Sequence, residues 1–398
     1  VWNEATKQLV ADGKLVVLGV VQEQHAERAQ LYKQWKQYKF PIVQDAFTGL
    51  GLAVVPVPIL IDEHGNVMET RLRPSDIARL AAQKTSLGDQ APKLDLEHAK
   101  VAWLERNAAT KGTAESKVAA ADAHLRLSTK ESVAKAIELY GSVRTKAAGS
   151  DTNERLVGAI EFRMGVAWRT LFDLENGKDA SKFTKASEHW SNALAENPNQ
   201  YIWRRRIQQY GPRQIKPYPF YDWVEQAQNE IIGRGETPVT LSVPLSGAEI
   251  AQRQKKMADS ADEETSNPDP DAKITLGESG LINVHSTVVP SVIKPGQTVR
   301  VHLRFTPSAG KWNNEADDMI VWVDQNEQGR RSKSKLVVAN PSTPESSETR
   351  MLEFEFETNK DADSVSATGY ALAYICKPDG QCVYRRIEFN VPVKLKTD

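Results

Sequence analysis

The sequence predicts a multidomain chain: an α/β segment, an α-helical segment of repeats and a C-terminal β-sandwich. Three patterns predict it. Apolar runs alternate with helix-spaced faces over 1–84, small and aromatic residues recur at repeat offsets within 85–234, and short period-two runs crowd 276–398. A chain of 398 residues exceeds what one small core accommodates. Net charge is −1, which argues against nucleic acid or an anionic membrane surface as partner. No apolar run approaches the length of a membrane span.

The first segment opens in a helix-like run at Val1-Trp2-Asn3-Glu4. Leu15 to Val21 is continuously apolar, the pattern of a strand covered on both faces. Leu31, Trp35 and Tyr38 share one helix face by their spacing. Phe40-Pro41-Ile42-Val43 follows, then Val54 to Ile61 with two prolines, a turn at Glu63-His64-Gly65-Asn66, and a closing helix from Pro74. This order, with Val55-Pro56 before a strand and Asp62-Glu63-His64-Gly65 after it, resembles a thioredoxin-like domain of the redoxin kind (AhpC/TSA or TlpA-like). The resemblance implies a cis peptide at Pro56 and a Val55 backbone that receives an extended substrate. No cysteine precedes Cys376, so the domain reads as incomplete, without its N-terminal strand and Cys motif. Pro58 departs from the family pattern and removes one ladder donor.

Residues 85–234 read as helical. Ala186, Trp190, Ala193 and Pro198 resemble the second half of a tetratricopeptide (TPR) repeat, where small residues let paired helices approach and proline ends the unit. Ala136, Tyr140 and Val143 repeat the spacing, and Gly165 and Trp168 suit the first helix of the second unit. The resemblance implies a peptide or protein partner on the helices. The stretch Tyr201–Arg213 mixes aromatic and basic residues; a capping helix packed on the repeats is favoured over a peptide- or anion-binding surface. Residues 235–275 lose periodicity and read as a solvated linker.

From 276 onward, Leu281–His285, Thr298–Phe305, Met319–Val323 and Leu352–Glu357 read as strands, and about seven strands fit an immunoglobulin-like sandwich. Cys376-Lys377-Pro378-Asp379-Gly380-Gln381-Cys382 then joins two further strands. Pro-Asp-Gly suits a three-residue hairpin loop, a register that pairs Lys377 with Gln381 and faces Cys376 with Cys382 at a non-hydrogen-bonded site, where a disulfide is feasible. Redox exchange, a local structural bridge and two inert thiols all remain open. A staple across so short a loop contributes roughly 2 kcal/mol, and a bridge near a loop tip is open to an attacking thiolate.

The sandwich with this cysteine spacing resembles the amino-terminal domain of DsbD-type thiol-disulfide interchange proteins, with Pro295-Gly296-Gln297-Thr298-Val299, Trp312-Asn313 and Tyr374-Ile375-Cys376 as further landmarks. The resemblance implies Cys376 and Cys382 as a redox pair acting on protein thiols or disulfides, and a periplasmic or exported location. Lys377 is a candidate for lowering a thiol pKa. Seven histidines show no metal-ligand spacing, and His285, His302 and Cys376 form only a remote copper or zinc possibility. No cofactor or metal is expected: no phosphate loop, nucleophile elbow or carboxylate pair stands out. The alternative to an exchange protein is a non-enzymatic scaffold that binds partners through the helical repeats.

Overall fold

The computed structural model describes residues 2–83, 100–147, 154–213, 220–243, 245, 249, 266–278 and 280–396. It contains helices and a large C-terminal β region, a multidomain α/β architecture. The chain divides into two compact units. One comprises Val1–Thr170, Ala193–Arg204 and Asp222–Pro244; the other comprises Leu171–Asn192, Arg205–Tyr221 and Leu245–Asp398. Among the described residues no helix is long and apolar enough to cross a membrane.

The first unit begins with α1 (Trp2–Ala11), β1 (Gly19–Val21), α2 (Ala26–Lys36), β2 (Ile42–Gln44), β3 (Leu60–Ile61), β4 (Val67–Glu69) and α3 (Ile77–Ala81), in the order the apolar patterning predicts. β1 and β2 pair in parallel, whereas β3 and β4 form a separate antiparallel hairpin. That hairpin is closed locally: Asp62 Oδ1 accepts from the amides of His64 and Asn66, and Gly65 takes a φ of 88° that disfavours other residues. One expectation needs correction. The run Leu15–Val21 is not covered on both faces: β1 is three residues long, Val16 is 87% exposed and Leu18 53%. The strand begins only at Gly19, so Val16 and Leu18 lie on the segment that leads into it. Tyr38 likewise lies beyond α2, which ends at the left-handed Gln37, while Leu31 and Trp35 are buried as expected.

Among the described residues the helices that follow are α4 (Val101–Lys111), α5 (Ala114–Leu127), α6 (Lys130–Ala147), α7 (Glu154–Leu174), α8 (Ala180–Glu196), α9 (Tyr201–Tyr210) and α10 (Val224–Gly233). The repeat-spaced residues are core residues: Ala136, Tyr140, Ala186, Trp190 and Ala193 are all fully buried. Small side chains on α5 and α6 permit close approach, and the Tyr140 hydroxyl satisfies its polar end by donating to Asp122 at 2.6 Å. Thr113 caps α5 by accepting from the Ser116 amide. On α9, Ile202, Trp203, Arg206, Ile207 and Tyr210 are buried, the packed-helix arrangement that helical spacing favours.

The segment 235–275 is held at both ends by hydrogen bonds; its middle, including Met257–Thr265, lies outside the described residues. The Val239 amide donates to Gln34 Oε1 of α2, and the Arg386 amide donates to the Thr275 carbonyl.

The second unit carries β5 (Ile282–Val289), β6 (Val292–Ile293), β7 (Thr298–Pro307), β8 (Lys311–Asn313), β9 (Met319–Val323), β10 (Gly329–Arg331), β11 (Lys335–Val338), β12 (Glu345–Ser346), β13 (Arg350–Thr358), β14 (Val365–Cys376) and β15 (Cys382–Leu395). One sheet has the order β10-β13-β7-β5; the other has the order β11-β9-β14-β15-β6, with β8 and β12 attached beside β14. Alternate residues of both sheets, among them Val301, Phe305, Val321, Phe356, Ala371 and Val391, form one core. The other face of β7 and β13 departs from simple polar-out alternation: Arg300, His302 and Glu355 are buried there too. Phe183 of α8 and the chain at Tyr210 and Arg213 cover that face within the same unit.

Candidate redox hairpin

β14 and β15 pair over twelve residue positions, ending at Cys376 opposite Cys382. The loop between them is built by three local bonds. The Lys377 amide donates to the Gln381 carbonyl at 2.9 Å, the Gly380 amide donates to the Lys377 carbonyl at 2.9 Å, and Asp379 Oδ1 accepts from the Gln381 amide at 3.0 Å. Gly380, at φ 86°, supplies the left-handed residue this loop requires. The register is the one the Pro-Asp-Gly turn predicts. Cys376 and Cys382 are joined as a disulfide, with α-carbons 3.8 Å apart.

The two sulfurs differ in surroundings. Cys376 lies between strands: Cys382 of β15 pairs on one side and Lys311 of β8 on the other. It is 4% exposed, whereas Cys382 is at the margin of the ladder and exposed. Behind the pair, the Tyr374 and Tyr384 rings meet at 4.5 Å across the same two strands. The Glu345 carboxylate of β12 comes within 4.8 Å of both sulfurs, and Lys311 Nζ donates to Glu345 Oε2 at 3.1 Å. Lys377, the candidate for lowering a thiol pKa, is ion-paired with Glu278.

Glu345 and Lys311 were not legible as site residues. Lys311 adjoins the Trp312-Asn313 landmark but carries no motif of its own. Glu345 sits in an ordinary polar stretch, Ser342–Glu348, and reaches the cysteines only because β12 pairs β8, which pairs β14.

Val55 and Pro56 lie in the first unit, on the segment before β3, and both are exposed. The Val55–Pro56 peptide is cis, as the resemblance implies. The remote histidine–cysteine metal set does not form. His302 is occupied by Glu353 and the Tyr210 carbonyl, His285 faces Arg304, and Cys376 belongs to the other sheet.

A second concentration of charge lies on the covered face of the four-stranded sheet. Arg300 Nε donates to Glu353 Oε2 at 2.7 Å and its Nη1 to Glu355 Oε1 at 3.3 Å. Arg213 Nε reaches Glu355 Oε1 at 3.3 Å, and the His302 ring places Nδ1 3.0 Å from Glu353 and Nε2 2.8 Å from the Tyr210 carbonyl. Burial by itself raises the Glu353 carboxyl, but the charges and hydrogen bonds of His302 and Arg300 outweigh it and bring the pKa down to about 2.

No protein-family model matches the chain, and no curated protein matches it. Solved structures resemble parts of it, three of them as follows. The first, described as AvmM, which catalyzes macrocyclization in alchivemycin A biosynthesis, matches at 13% identity over 31% of this chain and 97% of that chain, with a TM-score of 0.18. The sporulation control protein Spo0M from Bacillus subtilis matches at 9% identity over 30% of this chain and 51% of its own, with a TM-score of 0.16. A conjugative transposon lipoprotein from Bacteroides eggerthii matches at 12% identity over 28% and 98%, with a TM-score of 0.17. Likenesses this weak establish neither a shared fold nor an activity.

Proposed function

We propose that this chain is a thiol-disulfide exchange protein with Cys376–Cys382 as its working pair. In this reading the C-terminal β region is an immunoglobulin-like sandwich of the DsbD amino-terminal kind. The helices are TPR-like, and the first segment is a thioredoxin-like domain in which Val55 and the cis Pro56 receive an extended peptide. The observation that carries the reading is the asymmetry of the pair, one sulfur exposed and one buried at the end of a firmly registered hairpin. An attacking thiolate needs a clear line to one sulfur, and a leaving sulfur needs none.

The exchange then runs in two steps. A partner thiolate attacks Cys382 Sγ, a mixed disulfide forms, and the Cys376–Cys382 bond breaks with its electron pair left on Cys376 Sγ. That sulfur then takes a proton from water. The partner's second thiol attacks its own sulfur in the mixed disulfide and leaves as a disulfide, releasing Cys382 as a thiol. The net result is two electrons and two protons gained by this chain and lost by the partner dithiol. A disulfide persists in oxidising compartments, which supports a periplasmic or exported location.

The test uses single variants. Cys376→Ser, mixed with a small-molecule disulfide, is expected to trap a mixed disulfide at Cys382 quickly, and Cys382→Ser to trap one at Cys376 slowly. Equal rates would remove the assignment of the attacked sulfur. A wild-type pair that stays oxidised in excess dithiothreitol at neutral pH would remove the exchange reading. The scaffold reading, in which the helical repeats bind a partner, would then take its place. It expects a double Cys→Ser variant to keep all partner binding.

A further inference from the structure

We propose that the reduced hairpin is a zinc site, with Cys376, Cys382 and Glu345 as ligands, so that the redox state of the pair decides whether the chain holds the metal. The inference rests on the exchange reading for the reduced state and goes beyond it in function.

Three donor atoms on three strands converge: both sulfurs and a Glu345 carboxylate oxygen lie within 4.8 Å of one another. The strands hold them there by backbone pairing, β12 to β8, β8 to β14, and β14 to β15. In the disulfide the sulfurs are bonded to each other and offer no thiolate. Reduction separates them, and a tetrahedral ion with Zn–S of about 2.3 Å needs sulfurs about 3.8 Å apart. Side chains on directly opposed residues of a non-hydrogen-bonded pair span that distance by rotation about χ1.

Charge and donor type select the ion. Two thiolates and one carboxylate carry three negative charges, and Lys311, bonded to Glu345 Oε2, carries one positive charge. A divalent cation brings the cluster to neutrality. Lys311 also orients the carboxylate, the role an outer-shell partner plays at metal centres. Two soft sulfurs with one hard oxygen suit a borderline divalent ion such as zinc, whereas Cu(I) is served by the sulfurs alone. Three protein ligands leave one tetrahedral position for solvent.

The balance is complete. A dithiol gives two electrons and two protons to the disulfide and becomes a disulfide itself; the resulting pair of thiols then releases two protons as it binds Zn²⁺. Apparent affinity therefore rises by about a hundredfold per pH unit below the thiol pKa values.

The test uses the full chain. It is reduced with a phosphine, desalted without oxygen, and titrated with zinc chloride against a chromophoric chelator. One zinc per reduced chain, and none per oxidised chain, is the expected result. Glu345→Gln is expected to weaken zinc at least tenfold while leaving the dithiothreitol equilibrium measured without metal within a few-fold. Cys376→Ser with Cys382→Ser is expected to abolish binding. A reduced chain that binds no more zinc than this double variant, or a Glu345→Gln chain of unchanged affinity, overturns the proposal. Exchange measured on the same samples separates the outcomes. Normal exchange without zinc defeats this inference alone, and a pair that cannot be reduced defeats both.

Discussion

Two places in the second unit concentrate chemistry: the covered face of the four-stranded sheet and the cysteine hairpin at the end of the other sheet. By charge alone the first is the more conspicuous. It holds two guanidiniums, two carboxylates and an imidazole, with a carboxyl pKa near 2. Perturbed ionisation is a common mark of a functional site. Here every charged group is bonded to another or to a backbone carbonyl, and Phe183 and Tyr210 close over the imidazole. The hairpin has one exposed sulfur and two flanking ion pairs, Lys311–Glu345 and Lys377–Glu278. The contrast teaches that accessibility, more than the size of a perturbation, separates groups committed to one another from groups open to a partner.

That contrast makes stability and chemistry separable, and four measurements press on it. Glu355→Ala should have the largest effect. It strips Arg300 and Arg213 of a shared partner in a buried setting, and breaking such a pair costs about 3–5 kcal/mol. Urea denaturation reads the loss, and a change below about 1 kcal/mol would show that the cluster holds nothing. Folded Glu355→Ala protein should still exchange thiols at the wild-type rate.

Acid comes next. The folded-state pKa of Glu353 is depressed from 4.5 to about 2, so its contribution is fully present above pH 4.5 and is lost as pH falls toward 2. The expected loss is roughly 3 kcal/mol. Urea midpoints taken down that pH range check it, and Glu353→Gln should flatten the dependence. An unchanged slope in the variant would assign the acid sensitivity elsewhere.

Removing the disulfide should matter less to the fold and wholly to the chemistry. Cys376→Ser with Cys382→Ser is expected to lower stability by about 2 kcal/mol at most, because the hairpin turn and twelve paired positions already fix the strands. Loss of folding in this variant, seen by near-ultraviolet circular dichroism, would make the bridge a structural staple and reverse the comparison. Smallest of all, Lys377→Ala removes an ion pair whose Glu278 partner is 53% exposed, and about 0.5 kcal/mol is the expected change. A large effect on exchange rate in Lys377→Ala would give Lys377 the thiol-tuning role.

Much of the local structure was legible. The helix-strand order of the first segment, the buried positions Ala136, Tyr140, Ala186 and Trp190, and the pairing of Cys376 with Cys382 follow from periodicity and turn chemistry over a few residues. What failed was the inference about covering for the strands. Val16 and Leu18 look like a doubly buried strand and are exposed, while Arg300, His302 and Glu355 look like solvent-facing alternates and are buried. The site itself was half legible, since Glu345 and Lys311 approach the sulfurs through pairings of β12 with β8 and β8 with β14 that no motif marks.

The chain's own residues determined the hairpin, because Pro-Asp-Gly between two β-forming runs sets register through bonds that lie within Lys377 to Gln381. Tertiary structure decided which sulfur faces solvent and which carboxylate stands beside it. Exposure is a property of what the rest of the molecule places on a surface, and strands far apart in sequence, such as β12, β8 and β14, meet only through pairing in the folded sheet.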